Sequence, residues 1–316
     1  MALSRRALLA AVAGSTLAGC GRSVGGGTAA PAAPVVSASG SGASEPSEPP
    51  EASAISAATP SEPPTTAPTA APTPTAAPGR REPTRAELVV RYGGTAPKQW
   101  GMEVTGVTTK LPDGESATAL TFDACGGPGG SGYDADLIDF LRKCSVPATL
   151  FLNARWIDAN PDVFRQLAAD PLFEIGNHGT VHRPLSVTGR SAYGIAGTGG
   201  VGEVYDEVAG NAHKLAGLLG HPVSFFRSGT AHYDDVAARM VADLGERAAG
   251  FTVNGDGGAT LSAAEVRQEI AAAPPGAIVI CHMNHPGGGT APGVAAAVPG
   301  LLAAGRRFVR LSDVLR

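Results

Sequence analysis

The sequence predicts one α/β domain built on a parallel β-sheet, preceded by a long segment without regular structure. Twelve of the 26 prolines lie between Pro31 and Pro78, and the first aromatic residue is Tyr92, so the N-terminal quarter lacks the side chains for a core. Beyond it, short apolar runs alternate with amphipathic stretches, which is typical of a parallel sheet that is open or closed into a barrel. The 316 residues therefore predict one ordered domain rather than two similar ones.

Residues 1–20 have the layout of a lipoprotein signal peptide. Two arginines at positions 5 and 6 precede an apolar run from Ala7 to Ala18, which is shorter than the roughly 20 residues of a membrane-spanning helix. The arginines fit an ordinary secretory signal or a twin-arginine signal. The run ends in Leu17-Ala18-Gly19-Cys20, which resembles a bacterial lipobox, with an incidental cysteine as the alternative. We expect lipidation of Cys20 to anchor an exported protein to the outer face of the bacterial cytoplasmic membrane.

Residues 21–86 form a predicted disordered linker, and residues 87–316 form the predicted folded domain. The linker is mainly Ala, Pro, Ser, Thr and Gly without periodicity, so it cannot bury enough apolar surface to offset its ordering entropy. As a flexible tether it would span about 45 Å, which lets the domain reach into the cell wall. A net charge of −4 argues against a nucleic-acid partner, and we expect a monomer.

Each element of the domain is predicted from its apolar spacing, starting with an extended lead-in over residues 88–92 and 102–111. Apolar and β-branched runs predict strands at Ala119–Phe122, Ala148–Leu152, Phe173–Ile175, Phe225–Phe226, Gly250–Val253 and Ile278–Ile280. Helical spacing predicts helices at Leu137–Leu141, Pro161–Ala169, Val204–Leu215, Asp234–Leu244 and Ala263–Ala272. Pro161 suits the first helical position, because its missing N–H would have no partner there in any case.

Polar residues follow the predicted strands at the points where loops begin, namely Asp123, His178, His182, Arg227 and His282. A carboxylate at the end of a buried strand needs a hydrogen-bond or charge partner, so Asp123 either caps the following glycine-rich loop or belongs to a site. His178 and His182, four residues apart, can bind one metal ion. Gly179 excludes a zinc-peptidase helix, which has glutamate there. Because carboxyl ends of parallel strands share one edge, the order of these residues predicts a single site.

The motifs around these residues resemble, in chain order, those of the polysaccharide deacetylase family, which is carbohydrate esterase family 4 and shares the NodB homology domain. They are Thr121-Phe122-Asp123, Asn177-His178 through His182, Phe226-Arg227 and Val279-Ile280-Cys281-His282. The resemblance runs from about Ala119 to the C-terminus and implies an irregular (β/α) barrel of NodB type. It also implies a hydrolase that removes acetyl groups from N-acetylated glycans of the cell envelope, peptidoglycan-like or chitin-like, with a divalent metal that we expect to be zinc.

The resemblance implies roles for the matching residues: general base for Asp123, metal ligand for His178 and His182, orienting partner for Arg227, general acid for His282 and tuning of that acid for Asp256. Acyl transfer also forms an oxyanion, which we expect the metal and a backbone N–H near Thr230 to stabilise. The departing amine needs a proton, which a protonated His282 would supply.

The sequence departs from the family at position 124, where Ala124 replaces the aspartate that usually binds the metal. A catalytic zinc site has three protein ligands, so the two histidines need a third. Asp123 is slightly favoured, at a cost to its role as base, and the thiolate of Cys125 is the alternative. The departure keeps two other interpretations open, namely a catalytically impaired glycan-binding lipoprotein on the same fold and an O-acetyl esterase.

Aromatic side chains that would stack on a sugar are missing from the family's usual positions, which leaves Trp156, Tyr193 and Tyr233 as candidates to replace them.

The cysteines of the folded domain can form a disulfide or remain free. Cys125 and Cys281 both follow strands at the predicted site, so a disulfide between them competes with metal binding by Cys125. Cys144 precedes a strand, and we expect it to be a free, buried thiol at the opposite end of the sheet.

Overall fold

The computed structural model describes residues 81–315. The predicted signal peptide, the lipidation site Cys20 and linker residues 21–80 lie outside the described residues. The strands are β1 (Trp100–Gly101), β2 (Val107–Thr108), β3 (Ala119–Ala124), β4 (Ala148–Leu152), β5 (Phe173–Asn177), β6 (Phe225–Phe226), β7 (Tyr233–Asp234), β8 (Arg247–Ala249), β9 (Val253–Asn254) and β10 (Ile278–His282). The helices are α1 (Arg85–Tyr92), α2 (Ala135–Lys143), α3 (Ala154–Ala159), α4 (Pro161–Ala168), α5 (Val201–Leu219), α6 (Asp235–Asp243), α7 (Ala263–Ala271), α8 (Thr290–Ala303) and α9 (Leu311–Val314).

Eight of the described strands form one sheet in the order β2-β8-β6-β5-β4-β3-β10-β9, and every pairing in it is parallel. The sheet curls into half a barrel, which is the form that the predicted irregular barrel takes. Strands β3 and β4 are buried along their whole length, as expected when both faces of a parallel sheet are covered. The two remaining described strands, β1 and β7, form a separate antiparallel pair.

The register of the sheet brings the carboxyl ends of the central strands to one edge. His282 at the end of β10 pairs with Asp123 of β3, and Asn177 at the end of β5 pairs with Phe226 of β6. The residues that follow, His178 and Arg227, therefore emerge beside Asp123. The parallel pairing thus assembles the site that the order of motifs predicts.

Helices pack on the sheet through apolar faces that begin and end at recognisable caps. Asp134 starts α2 by accepting the N–H of Leu137, and Ser262 starts α7 with a capping box. Gly220 ends α5 in the left-handed conformation that favours glycine. The largest core cluster includes Phe122 and Trp156, both fully buried. Among residues 81–315 no helix is both long and apolar enough to cross a membrane.

Two local predictions are wrong. The lead-in over residues 88–92 is not extended, because Thr84 and Glu87 form a capping box that starts α1 at Arg85, two residues before the predicted domain boundary at 87. The strand predicted at Gly250–Val253 is not continuous: β8 ends just before it at Ala249, and only its last residue, Val253, belongs to a strand, where it begins β9. The Gly250 carbonyl between them accepts a hydrogen bond from the Arg227 side chain at 3.0 Å instead of one from a strand partner. Helices α1, α3, α8 and α9 were not predicted.

Candidate active site

Asp123 is held at the end of β3 by the buried guanidinium of Arg227. Nη1 of Arg227 donates to Oδ1 of Asp123 at 2.7 Å and to Oγ1 of Thr121 at 2.9 Å. The guanidinium carbon lies 4.2 Å from the centre of the Phe151 ring, so its plane is fixed by packing as well. Burial raises the pKa of Asp123, but the positive charges of Arg227 and then His178 outweigh it and hold the pKa below its usual range. Asp123 is therefore a carboxylate with one oxygen occupied.

His178 follows β5 and is oriented by the backbone of Arg227. Its Nδ1 lies 2.9 Å from the Arg227 carbonyl oxygen, and because a carbonyl only accepts, Nδ1 carries the proton. Nε2 faces Oδ2 of Asp123 (3.5 Å) and Sγ of Cys125 (3.9 Å). Burial lowers the pKa of His178, but the charge of Asp123 and then the hydrogen bond to Cys125 raise it above its ordinary value. An imidazole that donates one N–H to a backbone carbonyl and turns its other nitrogen toward further candidate ligands is the usual arrangement of a metal-binding histidine.

Cys125, His178 and His182 form a group whose ligand atoms all lie within 4.8 Å of one another. A thiolate and two imidazoles suit a zinc ion, which accepts three protein ligands and keeps a fourth position open for catalysis. Burial raises the pKa of Cys125, but hydrogen bonds from His178 and the other nearby histidines bring it well below its ordinary value. Of the two candidates for a third ligand, Cys125 lies in this group with the histidines, whereas Asp123, whose Oδ1 binds Arg227, lies outside it.

His182 sits in a loop that Glu207 of α5 holds in place. The buried Glu207 carboxylate accepts the backbone N–H of Val181 at 3.0 Å and that of Arg183 at 3.1 Å, on both sides of the histidine. A Cβ on Gly179 would lie 2.3 Å from Glu207 Oε1, so only glycine leaves room for the carboxylate. His182 itself has φ +64°, an uncommon conformation for a non-glycine residue. The loop is thus a constrained turn that aims His182 at His178, with ring centres 4.9 Å apart.

His282 is paired with Asp256 on the other side of Asp123. Asp256 is fully buried, and its carboxylate accepts from His282 Nδ1 at 3.0 Å, from the His282 backbone N–H at 2.6 Å and from Thr290 Oγ1 at 3.0 Å. Burial lowers the pKa of His282, but the hydrogen bond to Asp256, followed by that to Cys125, raises it well above the ordinary value. His282 is therefore protonated, and because Asp256 engages Nδ1, the hydrogen bond to Cys125 is made by Nε2–H.

A cavity of about 300 Å³ opens beside the metal group, and its lining includes Asp123, His282 and Thr230. Oγ1 of Thr230 is buried and has no hydrogen-bond partner among the described residues. A buried hydroxyl without a partner is costly, so this atom marks a place where a ligand would bind.

Of the three aromatic residues proposed to contact a sugar, one lines the cavity and two lie in the core. Trp156 and Tyr233 are core residues, since both are fully buried and donate to backbone carbonyls of Gly132 and Ala249. Tyr193 is 76% exposed and lines the cavity. The three described cysteines, Cys125, Cys144 and Cys281, are all free. Cys144 is half-buried rather than buried, because it ends α2 at the surface of the domain.

Glu207 is the residue of the site that sequence reasoning missed. A signal for it exists, because it lies three residues after Val204 and directly before Val208, inside the predicted apolar face of its helix. A glutamate at a position that should be apolar is buried only when its carboxylate is hydrogen-bonded.

Comparison with known proteins agrees with this geometry. The family model described as polysaccharide deacetylase matches residues 110–249, which contain Asp123, the two histidines of the metal group and Arg227. This region is therefore similar to the polysaccharide deacetylase family. No curated protein matches the sequence significantly.

Solved structures share the fold. A CE4 family pseudoenzyme from Bacillus anthracis is 20% identical, with a TM-score of 0.55 over 68% of this chain and 70% of that one, and a mutant of it has restored enzymatic activity. A peptidoglycan N-acetylglucosamine deacetylase is 21% identical, with a TM-score of 0.55 over 66% and 92%. PdaA of Bacillus subtilis, a family 4 carbohydrate esterase, is 19% identical, with a TM-score of 0.54 over 73% and 88%. The predicted NodB-type fold is confirmed.

Proposed function

We propose that this protein is a metal-dependent hydrolase that removes acetyl groups from N-acetylated glycans of the cell envelope. The observation that carries the proposal is the group formed by Cys125, His178 and His182, whose ligand atoms lie within 4.8 Å of one another. Beside it stand two buried acid–base pairs, Asp123 with Arg227 and His282 with Asp256. The match of residues 110–249 to the polysaccharide deacetylase family supports the reaction type.

Cys125, His178 and His182 would hold the metal. Cys125 would then replace the metal-binding aspartate that the family usually has at position 124, where this chain has alanine. A divalent metal such as zinc supplies a Lewis acid, which polarises the acetyl carbonyl and lowers the pKa of water. The histidine at 178 is prepared for this, because the Arg227 carbonyl fixes its tautomer.

Asp123 acts as the general base. Arg227 occupies its Oδ1, so Oδ2 is the oxygen left to take a proton from the attacking water. The carboxylate is ionised because Arg227 keeps its pKa low, and it lines the cavity in which the acetyl group would bind. Positioning of this kind compensates for the modest basicity of a carboxylate.

His282 acts as the general acid. The amine of an N-acetyl sugar is a poor leaving group as an anion, so it needs a proton as the C–N bond breaks. Asp256 holds Nδ1 of His282 and raises its pKa, so the imidazolium presents Nε2–H to the cavity. The Thr230 backbone N–H would donate to the oxyanion, since Thr230 lines the same cavity as Asp123 and His282.

The N-terminal segment supports a location for this activity. A lipid on Cys20 and a linker of about 65 residues would tether the domain to the outer face of the cytoplasmic membrane, within reach of the cell wall. An envelope glycan is then the polymer that the domain meets first.

The second candidate is a catalytically impaired glycan-binding protein on the same fold. It is favoured by Ala124, since an aspartate is lost from the family's metal site, and by the pseudoenzyme among the similar structures. The two candidate functions differ in the role of Cys125. In the deacetylase Cys125 is the third metal ligand, and in the impaired protein it binds no metal.

Acetate release distinguishes the candidates. Full-length protein supplied with zinc is incubated with N-acetylated chito-oligosaccharides, peptidoglycan fragments and acetylated xylan. We expect acetate from an amino-sugar substrate, loss of release in His178→Ala and Cys125→Ala, and unchanged release in the matched cysteine control Cys144→Ser. Full activity of His178→Ala would refute the metal-dependent mechanism. Release from acetylated xylan alone would assign an O-acetyl esterase, and release only after Ala124→Asp would favour the impaired protein.

A further inference from the structure

Four side chains form a continuous stack at one side of the cavity, which we call the aromatic rim: Arg190, Trp100, His232 and Tyr193. The Arg190 guanidinium lies 5.1 Å from the centre of the Trp100 ring, Trp100 and His232 ring centres are 5.8 Å apart, and His232 and Tyr193 ring centres are 5.2 Å apart. These are distances at which cation–π and aromatic pairs attract each other. The rim ends at Tyr193, which lines the cavity.

Tyr193 occupies a position that folding does not explain. It lies at the tip of a tight turn in which Ala192 and Ile195 exchange both backbone hydrogen bonds, at 3.1 and 2.9 Å. Tyr193 and Gly194 both have positive φ, +52° and +75°, as in a type I′ turn, where Asn, Asp and Gly are preferred. The ring is also 76% exposed, so it adds little to the core. A strained, exposed aromatic residue at a cavity is best explained by a ligand.

The ring of Tyr193 is nevertheless held in a defined place. Nδ1 of His232 lies 2.7 Å from the Thr230 carbonyl oxygen, which fixes the imidazole against which Tyr193 packs edge-to-face. Trp100 is fixed in turn by the pairing of β1 with β7, in which it lies opposite Asp234. The rim is thus preorganised, which reduces the entropy lost when a ligand binds.

The lining of the cavity indicates the chemistry of that ligand. Within the described residues its formally charged groups are confined to Asp123 and His282. The rest of the wall is supplied by glycines, the uncharged polar residues Tyr193, Thr230 and Asn254, and the apolar residues Met102, Ile195, Ala231, Phe251 and Ile280. Such a wall disfavours a charged ligand. A pyranose ring has an apolar C–H face that packs on an aromatic ring and hydroxyl groups that suit the unpartnered Oγ1 of Thr230.

We propose that the aromatic rim is a sugar subsite, in which a pyranose of the glycan packs on Tyr193 while Thr230 Oγ1 binds one of its polar substituents. The subsite rests on the proposed function for the identity of the polymer, but sugar binding does not require turnover. The rim residues Trp100, Tyr193 and His232 lie outside the motifs through which the sequence resembles its family, so the subsite belongs to this chain.

The test measures binding separately from catalysis. Full-length protein carrying Asp123→Asn, which lacks the base and so does not consume the ligand, is titrated with tetra-N-acetyl-chitotetraose by calorimetry. We expect Tyr193→Ala in this background to raise the Kd about tenfold, whereas Tyr193→Phe, which keeps the ring, leaves it within about twofold. Leu218→Ala, an exposed apolar residue on α5 outside the cavity lining, is the matched control and leaves the Kd unchanged.

Fluorescence supplies an independent readout. The chain has two tryptophans, and Trp156 is fully buried in the core, so a change in emission on adding the oligosaccharide reports on Trp100. We expect this change to disappear in Trp100→Phe.

The outcomes separate the subsite from the proposed reaction. A Kd that Tyr193→Ala leaves unaltered would overturn the subsite whether or not the wild-type protein releases acetate. An effect of Tyr193→Ala on the KM for 4-nitrophenyl acetate, with none on oligosaccharide binding, would also overturn it, because the rim would then bind an apolar acyl or aryl group. Absence of acetate release together with a Tyr193-dependent Kd would refute the proposed reaction and leave the subsite intact.

Discussion

Nη1 of Arg227 donates a 2.7 Å hydrogen bond to Oδ1 of Asp123, and both side chains are shielded from solvent. Each charge makes the burial of the other tolerable, because an unpaired buried ion is far more costly than a buried pair. The backbone carbonyl of the same arginine accepts a hydrogen bond from Nδ1 of His178. The side chain of this residue therefore fixes the proposed base and its backbone fixes a proposed metal ligand, so replacing the side chain should affect stability and activity together through Asp123.

Arg227→Met should lower the free energy of unfolding by about 3–5 kcal/mol, since it leaves the Asp123 carboxylate buried without its partner. Urea unfolding measures the change. The double variant Asp123→Asn/Arg227→Met removes both charges and should recover part of the loss while remaining inactive. If the single variant were as stable as the wild type, the two charges would not depend on each other.

Glu207→Ala should weaken zinc binding about 10- to 100-fold, because the backbone around His182 loses the carboxylate that accepts its N–H groups. Competition with a chromophoric chelator measures the affinity. Glu207→Gln keeps one acceptor oxygen and should fall between the alanine variant and the wild type. Equal zinc affinity in all three proteins would show that the loop holds its shape without Glu207.

Gly179→Ala should destabilise the domain more than an alanine at another glycine of similar backbone conformation. Gly179 and Gly220 have φ +76° and +78°, but a Cβ at Gly179 would lie 2.3 Å from Glu207 Oε1, whereas none of the atoms near Gly220 would be within 4 Å. Gly220→Ala thus reports the cost of the left-handed conformation alone, about 1–2 kcal/mol. Thermal unfolding of both variants gives the difference, and equal losses would show that the Glu207 contact is unimportant.

The stability of the domain should fall as pH rises because of Glu246. Burial raises the pKa of this carboxyl to about 8, although a hydrogen bond from Asn177 acts in the opposite direction. Between its ordinary pKa of 4.5 and about 8, the folded state keeps a proton that the unfolded state has released. The free energy of unfolding should therefore fall by up to about 1.4 kcal/mol per pH unit in that window.

Glu246→Gln removes this titration while keeping the shape of the side chain. Urea unfolding at pH 5, 6.5 and 8 should show a shallower decline in the variant than in the wild type. Parallel pH profiles for the two proteins would contradict the assignment of a raised pKa to Glu246.

The sequence predicts the parts of the site that follow strands. Asp123, His178, Arg227 and His282 each come directly after or at the end of a run that forms a buried strand, and parallel pairing brings all four to one edge. Once the strands are assigned from the sequence, parallel pairing alone predicts that these four residues lie close together. The prediction of an extended segment over residues 88–92 is wrong for a local reason. Val89 and Val90 favour a strand, but the capping box of Thr84 and Glu87 starts a helix.

Other parts of the site depend on contacts without a local signal. The aromatic rim requires that β1 pair with β7, two strands of two residues each that are more than 130 positions apart in the chain. The choice between Asp123 and Cys125 as the third ligand depends on which side chain Arg227 engages, and spacing does not decide that.

The central claim is that one metal ion, held by Cys125, His178 and His182, is required for deacetylation. The most direct measurement is a titration of metal-stripped, full-length protein with zinc, in which acetate release from an N-acetylated oligosaccharide is followed at each addition. Release should be absent without zinc, rise linearly and level off at one equivalent, and the plateau should vanish in Cys125→Ala. Acetate release that is already complete in the stripped protein, or a wild-type titration unchanged by Cys125→Ala, would contradict the claim.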